Sequence, residues 1–508
     1  MAFFSSLLEK NKKSIKWDEA SLAFANDILA IKSSFQLSDD FVCREFTNAL
    51  GSRCALFFID GMVEQATISN AIMEPLMIEG RKLSGDVANA KDMLDKLLTA
   101  CEATIEESVE PAIKKVLSGD TMLIFEGESL VVTVNTKGWE RRSVSEPQTE
   151  SVVRGPRHGF TETLRTNTAM LRRIIQNTNL AFESAVIGEQ TNTMVSIAYI
   201  KGIANESLVS SVKERLSRID TDEILSSGYI EAFIEEEKTS PFPTIAYSEK
   251  PDVVASKILE GRIAVIIDGS PFVLTVPMLF IEHFISPEDY TNRTAAATFL
   301  RLIRCACFFV SLLTPAVYIA LINFHYEIIP TSLLFRIAAA SEGLPFPAVF
   351  EVCLMLLIFE ILQEAGLRLP KPVGQTISFV GALIMGQSAV DAGIVSPLVM
   401  IVVSLSAVSG YVIPTLASTL SVVRWALLLM AAMFGSIGIT IALFCIYLHL
   451  SSLTSFGVPI GSPFSPFEKS DIKDTVGRVP LWRMNARPKS IMPQDLVRQY
   501  MPKEGSGK

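Results

Sequence analysis

The sequence predicts an α/β cytosolic region of two related subdomains followed by an α-helical polytopic membrane domain. Three observations carry that prediction: a very uneven distribution of charge, a gapless internal repeat in the first half, and several long apolar runs in the second. The 508-residue chain has 45 Lys or Arg and 54 Asp or Glu, yet only five of the former and six of the latter lie between Ile303 and His449. That stretch is solvated by something other than water. The net charge of -9, with both signs mixed, excludes a nucleic-acid binder, which needs a basic face to neutralise phosphates.

Residues 1–35 form an amino-terminal extension. Its opening, MAFFSSLLEKNKKSIKWDE, places a short apolar patch before the lysines, the reverse of a signal peptide's order. The soluble part is therefore expected to stay in the cytoplasm. Cys43, Cys54, Cys101, Cys305, Cys307, Cys353 and Cys445 show no CxxC spacing and read as reduced packing residues rather than disulfides or metal ligands.

Subdomain 1 (36–142) and subdomain 2 (179–290) are related by an internal match. LSGDTMLIFEGESLVVTV, Leu117 to Val134, aligns without a gap on LEGRIAVIIDGSPFVLTV, Leu259 to Val276, with Gly119 on Gly261 and Gly127 on Gly269. Each copy reads as two strands joined by an acidic-Gly hairpin turn. An earlier strand that ends in a glycine turn also recurs, CALFFIDG up to Gly61 and SIAYIKG up to Gly202. Segments such as ESLVSSVKERLSRI supply helices with apolar residues at 3.6 spacing.

Between the copies runs a polar connector, 143–178. Its Arg154, Gly155, Pro156, Arg157, His158 and Gly159 form a loop that Pro and Gly keep from being helical. Thr161 is a candidate cap for the helix that follows. The expectation is a solvated connector, because GPRHG lacks the spacing of a phosphate-binding loop.

The membrane domain, 291–450, is expected to hold about four spans plus a short broken segment. A span needs about 20 apolar residues. Cys305–Tyr326 is free of charge, WALLLMAAMFGSIGITIALFCIYLHL reads as one span, and IVSPLVMIVVSLSAVSGYVI as another. TISFVGALIMGQSAV is too short to cross comfortably and contains Gly381, Gly386 and Gln387, which suggests a half helix or kink. FPAVFEVCLMLLIFEILQEAGLRLP carries the carboxylates Glu351, Glu360 and Glu364. Glu360 and Glu364 share a face at i, i+4, so this helix either lines an aqueous path or lies at the membrane surface with its acidic face in water.

Arg293, Arg301 and Arg304 precede the first span, Arg368 and Lys371 follow the second, and the cytosolic tail (451–508) carries nine Lys or Arg against five acidic residues from Glu468 onward. The positive-inside rule then places both termini in the cytoplasm, with Arg424 as a violation on the outer side. His158, His283, His325 and His449 have no metal-ligand spacing, and no GxSxG, Walker or HExxH pattern is present. A non-enzyme with no cofactor, metal or catalytic residue is expected.

The connector SVSEPQTESVVRGPRHGFTETLRTNTAMLRRII, the segment EAGLRLPKPVGQTISFVGALIMGQSAVDAGIVSP and the tail DIKDTVGRVPLWRMNARPKSI resemble the A subunit of the GerA-type spore germinant receptors, over about residues 30 to 490. In the connector this resemblance rests on Glu146, Pro147, Glu150, Arg154, Gly155, Pro156, Gly159, Phe160, Glu162 and Asn167. It implies an endospore former, the inner membrane of the spore, and a complex with a transporter-like B subunit and a lipoprotein C subunit. It further implies that A subunits form a homo-oligomer with an ion path whose opening starts germination. Gly381, Gly386, Gln387 and Asp391 are then the candidate gate, since small residues permit close packing and polar atoms tolerate water. The alternative for that segment is ordinary helix packing with a glycine kink. Two other classes remain: an accessory protein of the family that assists dipicolinate release, and a secondary transporter, which would show inverted repeats in the membrane half.

Overall fold

Alternating apolar runs in the first half build two five-stranded antiparallel sheets, and the second half is helical. The computed structural model describes residues 24–35, 38–49, 51–78, 103–106, 108–126, 131–138, 147, 150, 154–368 and 384–499. A helix α1 (Phe24–Ser34) precedes β1 (Phe41–Thr47), β2 (Arg53–Ile59), β3 (Ala103–Glu106), α2 (Val109–Val116), β4 (Thr121–Phe125) and β5 (Val131–Val134). The sheet order is β1-β2-β4-β5-β3. Strand alternation splits the core in two: Ala55, Phe57 and Ile59 pack with α1 and α2, whereas Cys54 and Leu56 pack with the helical run Ile68–Met73. Each buried Phe, Leu or Ile among them contributes about 1.5–3 kcal/mol.

The second sheet repeats this plan. Helix α3 (Leu164–Ile174) precedes β6 (Leu180–Ile187) and β7 (Thr193–Ile200), followed by α4 (Glu206–Ser217), α5 (Ser227–Ile234), β8 (Ala246–Ser248), α6 (Pro251–Leu259), β9 (Ile263–Ile267) and β10 (Val273–Val276). Its order, β6-β7-β9-β10-β8, matches the first sheet strand for strand. The gapless alignment pairs the starts of β4 and β9, Thr121 with Ile263, and of β5 and β10, Val131 with Val273. Gly119 and Gly261 both have the positive φ that favours glycine, 96° and 102°. The fold class expected from the sequence is therefore present as a duplicated α/β unit.

The expected solvated connector is not what its helical part forms. Helix α3 is the first element of the second unit, as α1 is of the first, and it is wedged between them. Leu164, Leu171 and Ile175 enter the second core while Ala169 enters the first. Arg172 is 0% exposed and bonds to Asp40, Ser38 and the carbonyls of Asn177 and Leu180. The expected cap is also different. The N–H of Leu164 donates to Asp268 Oδ1 at 2.9 Å, from the β9–β10 turn, while Thr161 Oγ1 accepts from the Thr163 N–H at 3.4 Å.

The helical half consists of α7 (Thr294–Asn323), α8 (Thr331–Ser341), α9 (Ala348–Arg368), a helical segment at 384–391, α10 (Pro397–Gly410) and α11 (Ala417–Ser452). Among the described residues, two helices are long and apolar enough to cross a membrane by length and composition, Thr294–Asn323 and Pro414–Ser452. The sequence reads Trp425–Leu450 as one span, but α11 reverses within it. Gly435 has φ 60° and ψ -137°, and both ends of α11 reach the second subdomain: Thr419 Oγ1 donates to the Pro241 carbonyl, and His449 Nε2 pairs with Ser240 Oγ at 2.9 Å. Leu420 and Leu450 line one apolar cavity. Thus α11 is a hairpin, each arm about 26 Å long at about 1.5 Å per residue, close to the hydrocarbon thickness of about 30 Å.

The end of α7 marks the far side of the bundle, where Phe324 packs on Gly435 and His325 Nε2 bonds Ser436 Oγ at 2.7 Å. The head side is marked by His283 Nδ1 against Thr415 Oγ1, 2.9 Å, in the loop between α10 and α11. Beyond Ser452 the chain returns over the second subdomain. The N–H of Met278 donates to Ser455 Oγ, that of Gln494 to the Ile203 carbonyl, and Arg487 Nε to the Leu259 carbonyl.

Candidate functional site

The polar groups inside the helical half and at its head-side entry are the ones with chemical consequence. At the entry, Asp289 lies just before α7 and faces Arg301 Nε at 2.7 Å and Arg304. Burial raises the Asp289 carboxyl, but hydrogen bonds from Arg304 and Arg301 outweigh that and hold it below the usual carboxylate range. Arg301, 0% exposed, also grips Asp474 of the tail at 2.8 Å, and Tyr290 Oη donates to the same carboxylate at 2.6 Å. Arg478 donates to the Asp289 and Asn292 carbonyls. This knot ties the tail to the first helix of the bundle.

The three carboxylates of α9 separate. Glu351 is 3% exposed and its Oε2 accepts the Ser396 N–H at 2.8 Å, at the start of α10, a capping role at a helix N-terminus. Glu360 is half-buried, with Oε2 accepting the Trp425 indole N–H at 3.0 Å and Oε1 without a partner among the described residues. Glu364 is exposed. The shared face expected for Glu360 and Glu364 thus divides at the helix boundary with α11.

Arg424, expected on the outer side of the membrane, lies inside the bundle at 6% exposure. Its Nη2 donates to Ser311 Oγ at 3.2 Å and its Nε has no partner among the described residues. Ser406 Oγ donates to the Ser311 carbonyl nearby. A charged side chain kept in an apolar bundle is costly, and these small hydroxyls offset only part of that cost.

Of the candidate gate, Gly386 packs on α10 so closely that a Cβ would stand 2.0 Å from Met400 Cε. Gln387 and Asp391 are exposed on the other side of the segment, 3.4 Å apart at their closest atoms. Gly381 lies outside the described residues.

The connector residues are structural in geometry. Asn167, 0% exposed, accepts the Thr161 N–H and donates to the Thr161 carbonyl. The Phe160 N–H donates to the Glu249 carbonyl at 2.7 Å, the Glu162 carbonyl accepts the Gly269 N–H, and the Arg154 carbonyl accepts Thr291 Oγ1. Glu150 accepts Ser248 Oγ at 2.6 Å. Gly159 and Pro147 are buried, Gly155 and Pro156 are exposed, and Glu146 lies outside the described residues. Sequence reasoning missed Asp40, Arg172 and Asp474, whose partners are distant in the chain, and Asp289, which lies 12 and 15 residues before its arginines. It had in Arg424 a visible signal, a lone charge between uncharged runs.

The molecule is a duplicated α/β head joined to a helical bundle that keeps charged side chains in its interior. The chain belongs to the Bacillus/Clostridium GerA spore germination protein family, whose profile matches residues 29–490. It is 42% identical over 485 residues to spore germination protein KA of Bacillus subtilis (strain 168), covering 94% of this chain and 88% of that one. To spore germination protein GerLA of Bacillus cereus it is 34% identical, covering 93% and 96%. It is also similar to the crystal structure of the N-terminal domain of the A subunit of the Bacillus megaterium spore germinant receptor GerK3. That similarity has 35% identity and a TM-score of 0.40 over 50% of this chain and 95% of that one. The resemblance drawn from the connector, the glycine-containing segment and the tail is borne out: the chain is an A subunit of the GerA type.

Proposed function

We propose that this chain is the membrane subunit of a nutrient-germinant receptor that triggers spore germination by forming or gating an oligomeric ion path, together with a transporter-like B subunit and a lipoprotein C subunit. In this reading it is non-catalytic and lies in the inner membrane of the spore with both termini cytoplasmic. The observation that carries the ion path is the pair of incompletely satisfied charges inside the apolar bundle, Arg424 Nε and Glu360 Oε1. Such groups mark ion or proton routes in membrane proteins, and an anchor has no use for them. Outward apolar side chains such as Phe335, Ile437 and Phe444, 73%, 66% and 60% exposed, suit contact with lipid or with further copies. The return of both α11 ends to the head agrees with termini on one side.

The test is a chromosomal Gly386→Leu substitution. The side chain would have to displace Met400 and the adjoining turn of α10, so cation release and germinant response should change several-fold at normal protein level. An unchanged response at normal level would remove this segment from the gate.

A further inference from the structure

A cavity of about 420 Å³ lies where the second subdomain, the turn Phe280–Phe284, the α10–α11 loop and the tail meet. Its volume is within the range of small-molecule sites, roughly 300–1,000 Å³. Leu279, Ile281 and Met278 give it an apolar floor, and the polar groups of the wall converge on it from distant parts of the chain.

Its charges do not balance. Glu150, Asp252, Glu260, Glu282, Asp471 and Asp474 face Lys257, Arg262 and Arg498. All three bases are already engaged: Lys257 with Glu282 at 2.9 Å, Arg262 with Glu282 and Glu260, and Arg498 with Glu260 at 3.7 Å. Asp474 is held by Arg301, and Asp471 accepts the N–H groups of Lys489 and Ser490. Glu150 is left without an ion pair among the described residues, and Asp252 has Lys250 alone. Glu150 has one hydroxyl donor, Ser248, and burial pushes its carboxyl up. Asp252 pairs with the buried Lys250 ammonium at 3.7 Å, the same separation as Arg498 from Glu260, and neither its Oδ1 nor Lys250 Nζ has a hydrogen-bond partner among the described residues.

The same wall holds two further orphans. Arg262, 4% exposed, has a buried Nε that stands 3.6 Å from Glu260 without a hydrogen bond, and His283 has a buried Nε2 with no hydrogen-bond partner, both among the described residues. Buried polar groups are nearly always satisfied, so orphans of both kinds around one cavity point to a missing hydrogen-bonding molecule. A metal ion fits less well, because no three His, Cys, Asp or Glu among the described residues are grouped to ligate one.

We propose that this cavity binds a small organic cation carrying an ammonium or guanidinium group and a hydrogen-bond acceptor, with the charged nitrogen against Glu150 and Asp252 and the acceptor toward Arg262. Because Thr415 and the tail form part of the wall, such a molecule touches both the head and the bundle. The site goes beyond the ion-path reading and does not depend on it, and its failure would leave that reading intact.

The test uses the full chain in lipid nanodiscs, titrated with aminobutanol, butanediol and hydroxybutyrate at matched ionic strength, and followed by calorimetry and by the thermal unfolding midpoint. Saturable binding of the amine alone is expected, weakened at least tenfold in the double variant Glu150→Gln/Asp252→Asn. Ser256→Trp fills the cavity from an exposed position of α6 without removing a charge, and should abolish binding even where the double variant folds poorly. Equal responses to the three probes, or amine binding that persists in Ser256→Trp, would overturn the proposal.

Discussion

The guanidinium of Arg172 and the carboxylate of Asp40 meet at 2.8 Å in the seam between the two α/β units, with side-chain exposures of 0% and 2%. Removing one member of a buried pair strands the other. Arg172→Met should therefore destabilise the full chain by about 3–5 kcal/mol, read by chemical unfolding with intrinsic fluorescence. Arg172→Met combined with Asp40→Leu should be less harmful than Arg172→Met alone. If the double variant is the less stable of the two, the stranded-charge account fails.

The hairpin of α11 makes a geometric prediction. Leu420 and Leu450 line one cavity, whereas in a straight helix they would be about 45 Å apart. Cysteines at both positions, with the native cysteines replaced, should form a rapid intramolecular cross-link. Gly435→Leu should abolish it, since a Cβ there meets Phe324 Cγ at 2.8 Å and a side chain rarely adopts φ 60°. No cross-link in the glycine form would refute the fold-back.

Glu231, on α5, is raised to about 7 by burial first and then by the nearby Glu235 carboxylate. Its folded pKa lies above the unfolded value of about 4.3. The folded state therefore binds the extra proton between those values, and stability falls as pH rises from about 4.3 to 7. Glu231→Gln should flatten the thermal midpoint across that window. An unchanged pH slope would show that Glu231 is not the group responsible.

Asp474 is the link through which Arg301 and Tyr290 hold the tail. Asp474→Asn keeps the shape but weakens the charge-assisted bonds. Trypsin should then cut at Lys473 and Arg483 several-fold faster than in the wild type, with cleavage in the head unchanged. Equal cutting rates would mean that the contacts of Arg487 and Gln494 suffice to hold the strap.

Much of the head was legible because its signals are local. The Asp268-Gly269 turn, the β-rich runs and the gapless match between Leu117–Val134 and Leu259–Val276 all act over a few residues, and the strands start where that alignment pairs them; Gly127 of the first turn lies outside the described residues. The candidate site was less legible. Glu351, Glu360 and Glu364 stood out as charges in an apolar run, but helical spacing alone could not say that one caps α10, one meets Trp425 and one is exposed. Burial of Arg172 was hidden for the same reason: Asp40 lies 132 residues away.

The sequence by itself determined the division into a charged head and an apolar helical half, the duplication, and the family, since each depends on composition or on contiguous motifs. Only the tertiary structure decided that α3 belongs to the second unit, that Arg424 faces inward, and that the longest apolar run turns back at Gly435. Hydropathy measures whether a segment avoids water, and both arms of a hairpin avoid it as well as one straight helix does. Direction is set by contacts at the ends, Thr419 with Pro241 and His449 with Ser240, and those exist only once the head has folded.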